Sequence, residues 1–350
     1  MIAVDFCCGA GGLTRGLLDS GVEVVLGIDN DEQCRLTYEH NNPASSFLRK
    51  DLRDVSFEDL RPYVKSRLAK NVLFAGCTPC QPFSQQRKAG GRSLDATLLG
   101  AFARLVGEYR PGQVLIENVP GIARVRGFST FRRFLKMLTR LGYKYDYGVL
   151  DAKSFGVPQS RRRLVLIASL HYVVSLPTEK HGKEKVPYRT VRDAISRFPS
   201  LQAGGEDGSV PNHVAASITP INIERLKCTP KDGGDRRSWP KHLRLQCHTN
   251  GYDGHTDVYG RMKWDAPAPT LTGRCHSISN GRYGHPEQNR AISLREAAAL
   301  QSFPDNYEFF GSNKHIALQI GNAVPVALAQ ALGRQIRYLR DRLHSPKAKT

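Results

Sequence analysis

Cys80 stands in Cys77-Thr-Pro-Cys80-Gln-Pro-Phe-Ser84, where the apolar run Val72-Leu-Phe-Ala75 gives way to a proline-bounded turn. A thiol so placed sits at the end of a β-strand, in the region where open α/β sheets bind their ligands. The run Val114-Leu-Ile-Glu117-Asn118-Val119 repeats the design with a carboxylate at the strand end. Thiolate is the reactive form of cysteine, and a carboxyl group can carry a proton to or from whatever the thiolate attacks. Together they make a site for covalent chemistry. Cys77 and Cys80 also have the spacing of a thiol redox pair, but the thioredoxin-type context around them is missing.

Two strand ends need a sheet to carry them. Residues 2–6, 22–28, 47–48, 72–75, 114–116, 144–150 and 164–168 read as strands, with helical patterns at 13–20, 32–40, 96–109 and 130–141 between them. This alternation predicts an α/β fold, a doubly wound Rossmann-like sheet. After about Leu170 the chain becomes rich in Gly, Pro, His, Arg and Asn, which predicts a small loop-rich domain over 171–289. Helical character returns at 293–300 and 324–343. The expected organisation is therefore 1–170, 171–289 and a C-terminal segment, 290–350.

The 350 residues carry 51 Lys and Arg against 32 Asp and Glu, a formal charge of +19. Charge of that size speaks about partners, and nucleic acid is the commonest polyanion. Arg225 to Arg244 alone holds seven basic residues against two Asp. A hydrophobic content of 40% and a mean hydropathy of −0.41 describe an ordinary globular chain. No apolar run reads as a membrane span and no signal segment precedes residue 2, so a cytoplasmic protein is expected. The eight cysteines then read as reduced. Cys247-His248 and Cys275-His276 lack a defensible zinc spacing, and no metal is expected.

Gly9-Ala-Gly11-Gly12, followed by a helix, resembles a dinucleotide turn, but Thr14 occupies the third glycine position of that fingerprint. Asp29, 20 positions beyond Gly9, can accept from ribose hydroxyls. Asp51 ends the next strand and can accept from an adenine amino group. A glycine turn, a ribose-binding acid and no basic phosphate clamp suit a nucleoside cofactor without pyrophosphate, and S-adenosylmethionine fits.

Five segments in order, Asp5-Phe-Cys-Cys-Gly-Ala-Gly-Gly12, Gly76-Cys-Thr-Pro-Cys-Gln-Pro-Phe-Ser84, Glu117-Asn-Val119, Gln159-Ser-Arg-Arg-Arg163 and Gln319-Ile-Gly-Asn-Ala-Val-Pro325, resemble the motifs of DNA (cytosine-5) methyltransferases of bacterial type. The resemblance spans residues 5 to 325. It implies a catalytic domain that binds S-adenosylmethionine, a small target-recognition domain, and a C-terminal segment returning to the catalytic domain. It makes Cys80 the nucleophile toward cytosine carbon 6 and sets Glu117 at ring nitrogen 3 and the exocyclic amine. It turns Arg163 towards the cytosine carbonyl, with Arg161 bracing the site. The cofactor pocket is expected from Phe6, Gly9, Gly11, Leu13, Asp29, Asn30, Asp51, Leu52, Pro79, Asn322 and Val324. Asn30 departs from the aromatic residue that family members often place there, so adenine stacking must be weaker or come from elsewhere.

A base inside a duplex is out of reach of such a site and must be flipped out. Gln85-Gln-Arg-Lys-Ala-Gly-Gly-Arg92 reads as a basic, glycine-hinged loop that closes on DNA. Ser84, Gln85, Gln86, Arg87, Lys88 and Arg92 are its expected contacts. Arg261, Thr270 and Thr272 are expected to position the DNA backbone, and Arg274 or His276 to enter a groove. The partners expected are double-stranded DNA and a cognate restriction endonuclease, with the protein a monomer of bacterial or phage origin. An RNA cytosine methyltransferase built on the same motifs is the nearest rival. A catalytically idle DNA binder would need none of Cys80, Glu117 and Arg163, and Thr14 argues against an NAD enzyme.

Overall fold

A computed structural model describes residues 1–64, 69–78, 96–123, 129–248 and 257–342. The chain divides into two compact units. The first comprises residues 1–155, 162–179 and 324–350, and the second 156–161 and 180–323. Where the sequence pattern began the returning segment at residue 290, the chain rejoins the first unit at Val324.

The first unit is built on strands β1 (Ile2–Phe6), β2 (Glu23–Asp29), β3 (Ser46–Arg49), β4 (Val72–Gly76), β5 (Gln113–Asn118), β6 (Lys144–Asp151) and β7 (Arg162–Ser169). They form one sheet in the order β3-β2-β1-β4-β5-β7-β6. β1 to β5 run parallel, and β7 is antiparallel to both its neighbours. β1, β4 and β5 are buried along their whole length, which is why they read as apolar runs without alternation. The core centres on Phe6, packed edge-on against Phe74 and Phe102, with Tyr109 stacked on Phe74.

Helices α1 (Gly12–Asp19), α2 (Arg35–Asn41), α3 (Phe57–Val64), α4 (Ala96–Tyr109) and α5 (Ser129–Arg140) connect the strands. α3 has no counterpart in the sequence reading, and it carries Pro62 inside it. Ser56 and Lys50, both bonded to the Asp59 carboxylate, hold its first turn in place.

The second unit contains α6 (Val191–Ile195), α7 (Pro220–Lys227), α8 (Leu294–Leu300) and α9 (Asn313–Asn322), joined by turns and isolated bridges. With so little regular backbone pairing, buried side chains do much of the cross-linking. Arg290 pairs with Glu296 at 2.7 Å, and Arg295 donates to carbonyls of Pro211, Pro304 and Tyr307. Helix α10 (Val326–Asp341) returns to the first unit and lies against α1. A Cβ on Gly16 would fall 2.4 Å from Ala329 Cβ, so only glycine permits that approach. The stretch Asn313–Asp341 is, contrary to the sequence reading, long and apolar enough to cross a bilayer. It is divided at Ala323–Pro325 into α9 and α10, and most of it is buried in the protein.

Candidate active site

The carboxylate of Glu117 is the focus of the first unit's polar chemistry, with only 2% of the residue exposed. β5 carries it between two strands that each contribute a partner. Arg163, on β7, forms an ion pair with it, Nε lying 2.9 Å from Oε1. Cys77, one residue past β4, donates its thiol to Oε2 at 2.8 Å. Register explains the convergence. Gly76 pairs with Ile116, which brings Cys77 alongside Glu117, while Glu117 faces Val165, two positions from Arg163 on the same face. Loss of solvation and the nearby Glu117 charge push the Cys77 thiol well above its ordinary 9.0. Cys77 therefore stays protonated and stays a donor.

Asn118 performs the next task. Its amide donates to the Thr78 carbonyl at 2.8 Å and its oxygen accepts from Val119 N–H, tying the chain that leaves β4 to the end of β5. Pro79, Cys80, Ser84, Gln85, Gln86, Arg87, Lys88 and Arg92 lie outside the described residues.

A second set of groups lies at the ends of β1 to β3. Cys7, Gly9 and Gly11 all take left-handed backbone angles (φ 58°, 50° and 84°), which turns the chain sharply into α1. Gly9 N–H donates to Asp29 Oδ2 at 2.8 Å, and Asp31 N–H to Oδ1 at 3.0 Å. Burial nonetheless raises the Asp29 carboxyl above its usual range. Nothing lies within 4 Å of where a Gly9 Cβ would be, so the turn faces open space. Asp51 is held down to about 2 by its hydrogen bonds from Arg53, which take up both carboxylate oxygens. Leu13 and Leu52 are buried, Asn30 is exposed, Asn322 is exposed at the end of α9, and Val324 is buried before α10. An open glycine turn beside two carboxylates at adjacent strand ends fits a nucleoside that offers hydroxyl and amino donors, since each carboxylate oxygen has a second lone pair.

Thr14, out of place in a dinucleotide fingerprint, has its own role here. Its hydroxyl donates to Asp5 Oδ2 at 2.7 Å and bonds with the Tyr38 hydroxyl at 3.0 Å. Asp5 is fully enclosed, its Oδ1 has no hydrogen-bond partner, and burial raises its pKa to about 7. No sequence signal short of burial itself could have revealed this.

Two expected site residues have other roles. Phe6 is a core residue with no exposure, its ring enclosed by Phe74 and Phe102, so it offers no face to an adenine. Arg261 is likewise buried and cannot reach DNA. Its guanidinium donates to the carbonyls of Leu226, Thr229, His285 and Gln288 and to Asn289 Oδ1, which makes it a structural pin of the second unit.

Arg161 belongs to the second unit, where it donates to the carbonyls of Leu271, Gly321 and Ala323. Thr270 is exposed and donates to Ser160 O, and Thr272 is half-buried near the Tyr283 hydroxyl. Arg274 is exposed; His276 is half-buried, and burial with the Arg274 charge lowers its pKa. Of the basic stretch, Arg225 and Arg236 are buried, while Lys227, Lys231, Arg237, Lys241 and Arg244 are exposed.

A sheet of this order with one antiparallel strand, carrying a glycine turn and acidic strand ends at its parallel half, is the Rossmann-like fold of methyltransferases. The model for C-5 cytosine-specific DNA methylases matches residues 1–338, and the chain belongs to that family. It is 39% identical over 346 residues to the Type II methylase M.HgiDII of Herpetosiphon aurantiacus, covering 97% of this chain and 96% of that protein. The Type II methyltransferase M.Eco47II of Escherichia coli is 30% identical over 348 residues, covering 97% and 80%. Among solved structures, an E. coli prophage protein described as a DNA modification methyltransferase superposes with a TM-score of 0.76 at 22% identity, covering 97% of this chain and 99% of that one. The enzyme is a DNA (cytosine-5)-methyltransferase.

Proposed function

We propose that this enzyme moves a methyl group from S-adenosylmethionine to carbon 5 of a flipped-out cytosine through a covalent bond between Cys80 and carbon 6. The observation that carries this reading is the buried Glu117 carboxylate, held from β4 and β7 beside the segment that leads to Cys80.

Carbon 5 of cytosine is too weak a nucleophile to act unaided. Addition of the Cys80 thiolate to carbon 6 pushes the ring electrons towards carbon 5. Glu117 supplies or stabilises a proton at ring nitrogen 3 as that happens, and accepts from the exocyclic amine. Arg163 holds the carboxylate and turns its remaining donors towards the cytosine carbonyl. S-adenosylmethionine supplies the methyl electrophile when bound. Gly9, Gly11, Leu13, Asp29, Asp51, Leu52 and Val324 would hold it, with Pro79 and Asn322 assigned by resemblance. Loss of the carbon-5 proton and cleavage of the Cys80 bond then restore the ring.

The base reaches this site by leaving the duplex. By resemblance Ser84 to Arg92 are assigned to DNA contacts, and the exposed cations of the second unit, Arg274 among them, meet the duplex. That unit sets the sequence methylated. The protein works as a monomer in the cytoplasm of a bacterial or phage-infected cell, protecting DNA from a nuclease that cuts the same sequence.

A duplex carrying 5-fluorocytosine tests the covalent step, because fluorine cannot leave carbon 5 as a cation and the adduct persists. Wild type with S-adenosylmethionine should form a complex that survives denaturation, and Cys80→Ser should form none. No such complex with the wild type would overturn the adduct.

A further inference from the structure

We infer that Cys77 is a positioning residue for Glu117, its thiol fixing the second carboxylate oxygen so that the remaining lone pairs point at the base. The inference rests on the catalytic reading of Glu117.

One ion pair does not orient a glutamate. The last torsion of its side chain is broad, so a carboxylate held only through Oε1 by Arg163 can swing about that contact. Cys77 gives it a second fixed point on the opposite side, 2.8 Å from Oε2. Each carboxylate oxygen has two lone pairs. With Oε1 held against the Arg163 guanidinium and a lone pair of Oε2 committed to Cys77, the plane of the carboxylate is set, and with it the direction of the lone pairs left over.

The second point is itself immobile. Cys77 N–H donates to the Phe6 carbonyl at 3.2 Å, one step beyond the β1–β4 ladder, so the sheet holds its backbone. Asn118, next to Glu117, ties down the following carbonyl, that of Thr78. A thiol suits the position because burial and the Glu117 charge keep it protonated, so it remains a donor to the carboxylate. Cys77 touches no reacting atom. It acts through Glu117.

Single-turnover methylation of a cognate duplex by wild type, Cys77→Ala and Cys77→Ser tests this, with KM for DNA and thermal midpoint measured for each. The alanine variant should lose about tenfold in kcat while KM for DNA stays within about twofold, as expected for losing one hydrogen bond to a charged group. The serine variant, which keeps a donor, should recover most of that loss. Wild-type kcat in Cys77→Ala, or a serine variant as slow as the alanine one at equal thermal stability, would overturn the inference. Glu117→Gln in the same series separates the two levels. If it keeps full activity, the catalytic reading of Glu117 has failed; if it is inactive while Cys77→Ala is unaffected, only the role of Cys77 has.

Discussion

Arg163 Nε and Glu117 Oε1 stand 2.9 Å apart across the antiparallel strands β7 and β5, with Glu117 almost completely buried. A buried carboxylate without this partner would be an uncompensated charge, so the pair is a structural requirement before it is a catalytic one. Arg163→Ala should destabilise the first unit by about 3 kcal/mol and abolish methylation. Glu117→Gln keeps an acceptor for Arg163 but loses the carboxyl proton, so its thermal midpoint should stay near wild type while kcat falls about 100-fold or more. Equal loss of stability in the two variants would mean that Glu117 is structural only.

The second unit makes the opposite case for a basic residue. Arg261 satisfies five acceptors from three stretches of chain, Leu226–Thr229, His285 and Gln288–Asn289. Arg261→Lys cannot reproduce the planar fork and should cost at least about 2 kcal/mol, read as a lower denaturation midpoint. The slope of DNA affinity against salt should be unchanged in protein that remains folded, whereas Arg274→Ala should reduce that slope by about one ion. A changed slope for Arg261→Lys would restore it as a phosphate contact.

How far such residues can be read in advance depends on where their partners lie. β1, β4 and β5 are legible because strands buried on both faces leave unbroken apolar runs, and Glu117, the acid near the end of the β5 run, stands out. α3 was not read, and a proline inside a helix weakens the local helical signal. Arg261 looked like a surface cation because nothing near it in sequence announces its acceptors. Phe6 is the last residue of β1, and the sharp turn begins at Cys7. Cys77 was read only for its spacing to Cys80, since its bond to Glu117 exists only once β4 and β5 are paired.

Asp5 gives stability a pH dependence of definite sign. Burial raises its pKa from 3.8 to about 7 in the folded protein. The bound proton therefore stabilises the native state fully below pH 4, and that contribution is lost as pH rises through 7. Asp5→Asn keeps an acceptor for Thr14 and removes the ionisation. It should leave the denaturation midpoint nearly unchanged at pH 4 and raise stability by a few kcal/mol at pH 8 relative to wild type. A midpoint difference independent of pH would show that Asp5 does not titrate in this range.

The return of α10 to the first unit depends on a missing side chain. A methyl group on Gly16 would meet Ala329 Cβ at 2.4 Å and the Val326 carbonyl at 2.5 Å. Gly16→Ala should thus destabilise by about 1–3 kcal/mol despite the better helix propensity of alanine. Because α1 begins directly after the glycine turn, affinity for S-adenosylmethionine should weaken with it, measured by calorimetry. A more stable Gly16→Ala protein would show that the two helices are not in close contact.

Bisulfite sequencing of plasmid DNA from cells expressing the wild-type chain or Cys80→Ala tests the proposed chemistry most directly. Cytosines protected within one short sequence in the wild type, and none in the mutant, are the predicted result. Protection in both would contradict Cys80 as the nucleophile, and protection in neither, with soluble wild-type protein present, would contradict DNA as the substrate.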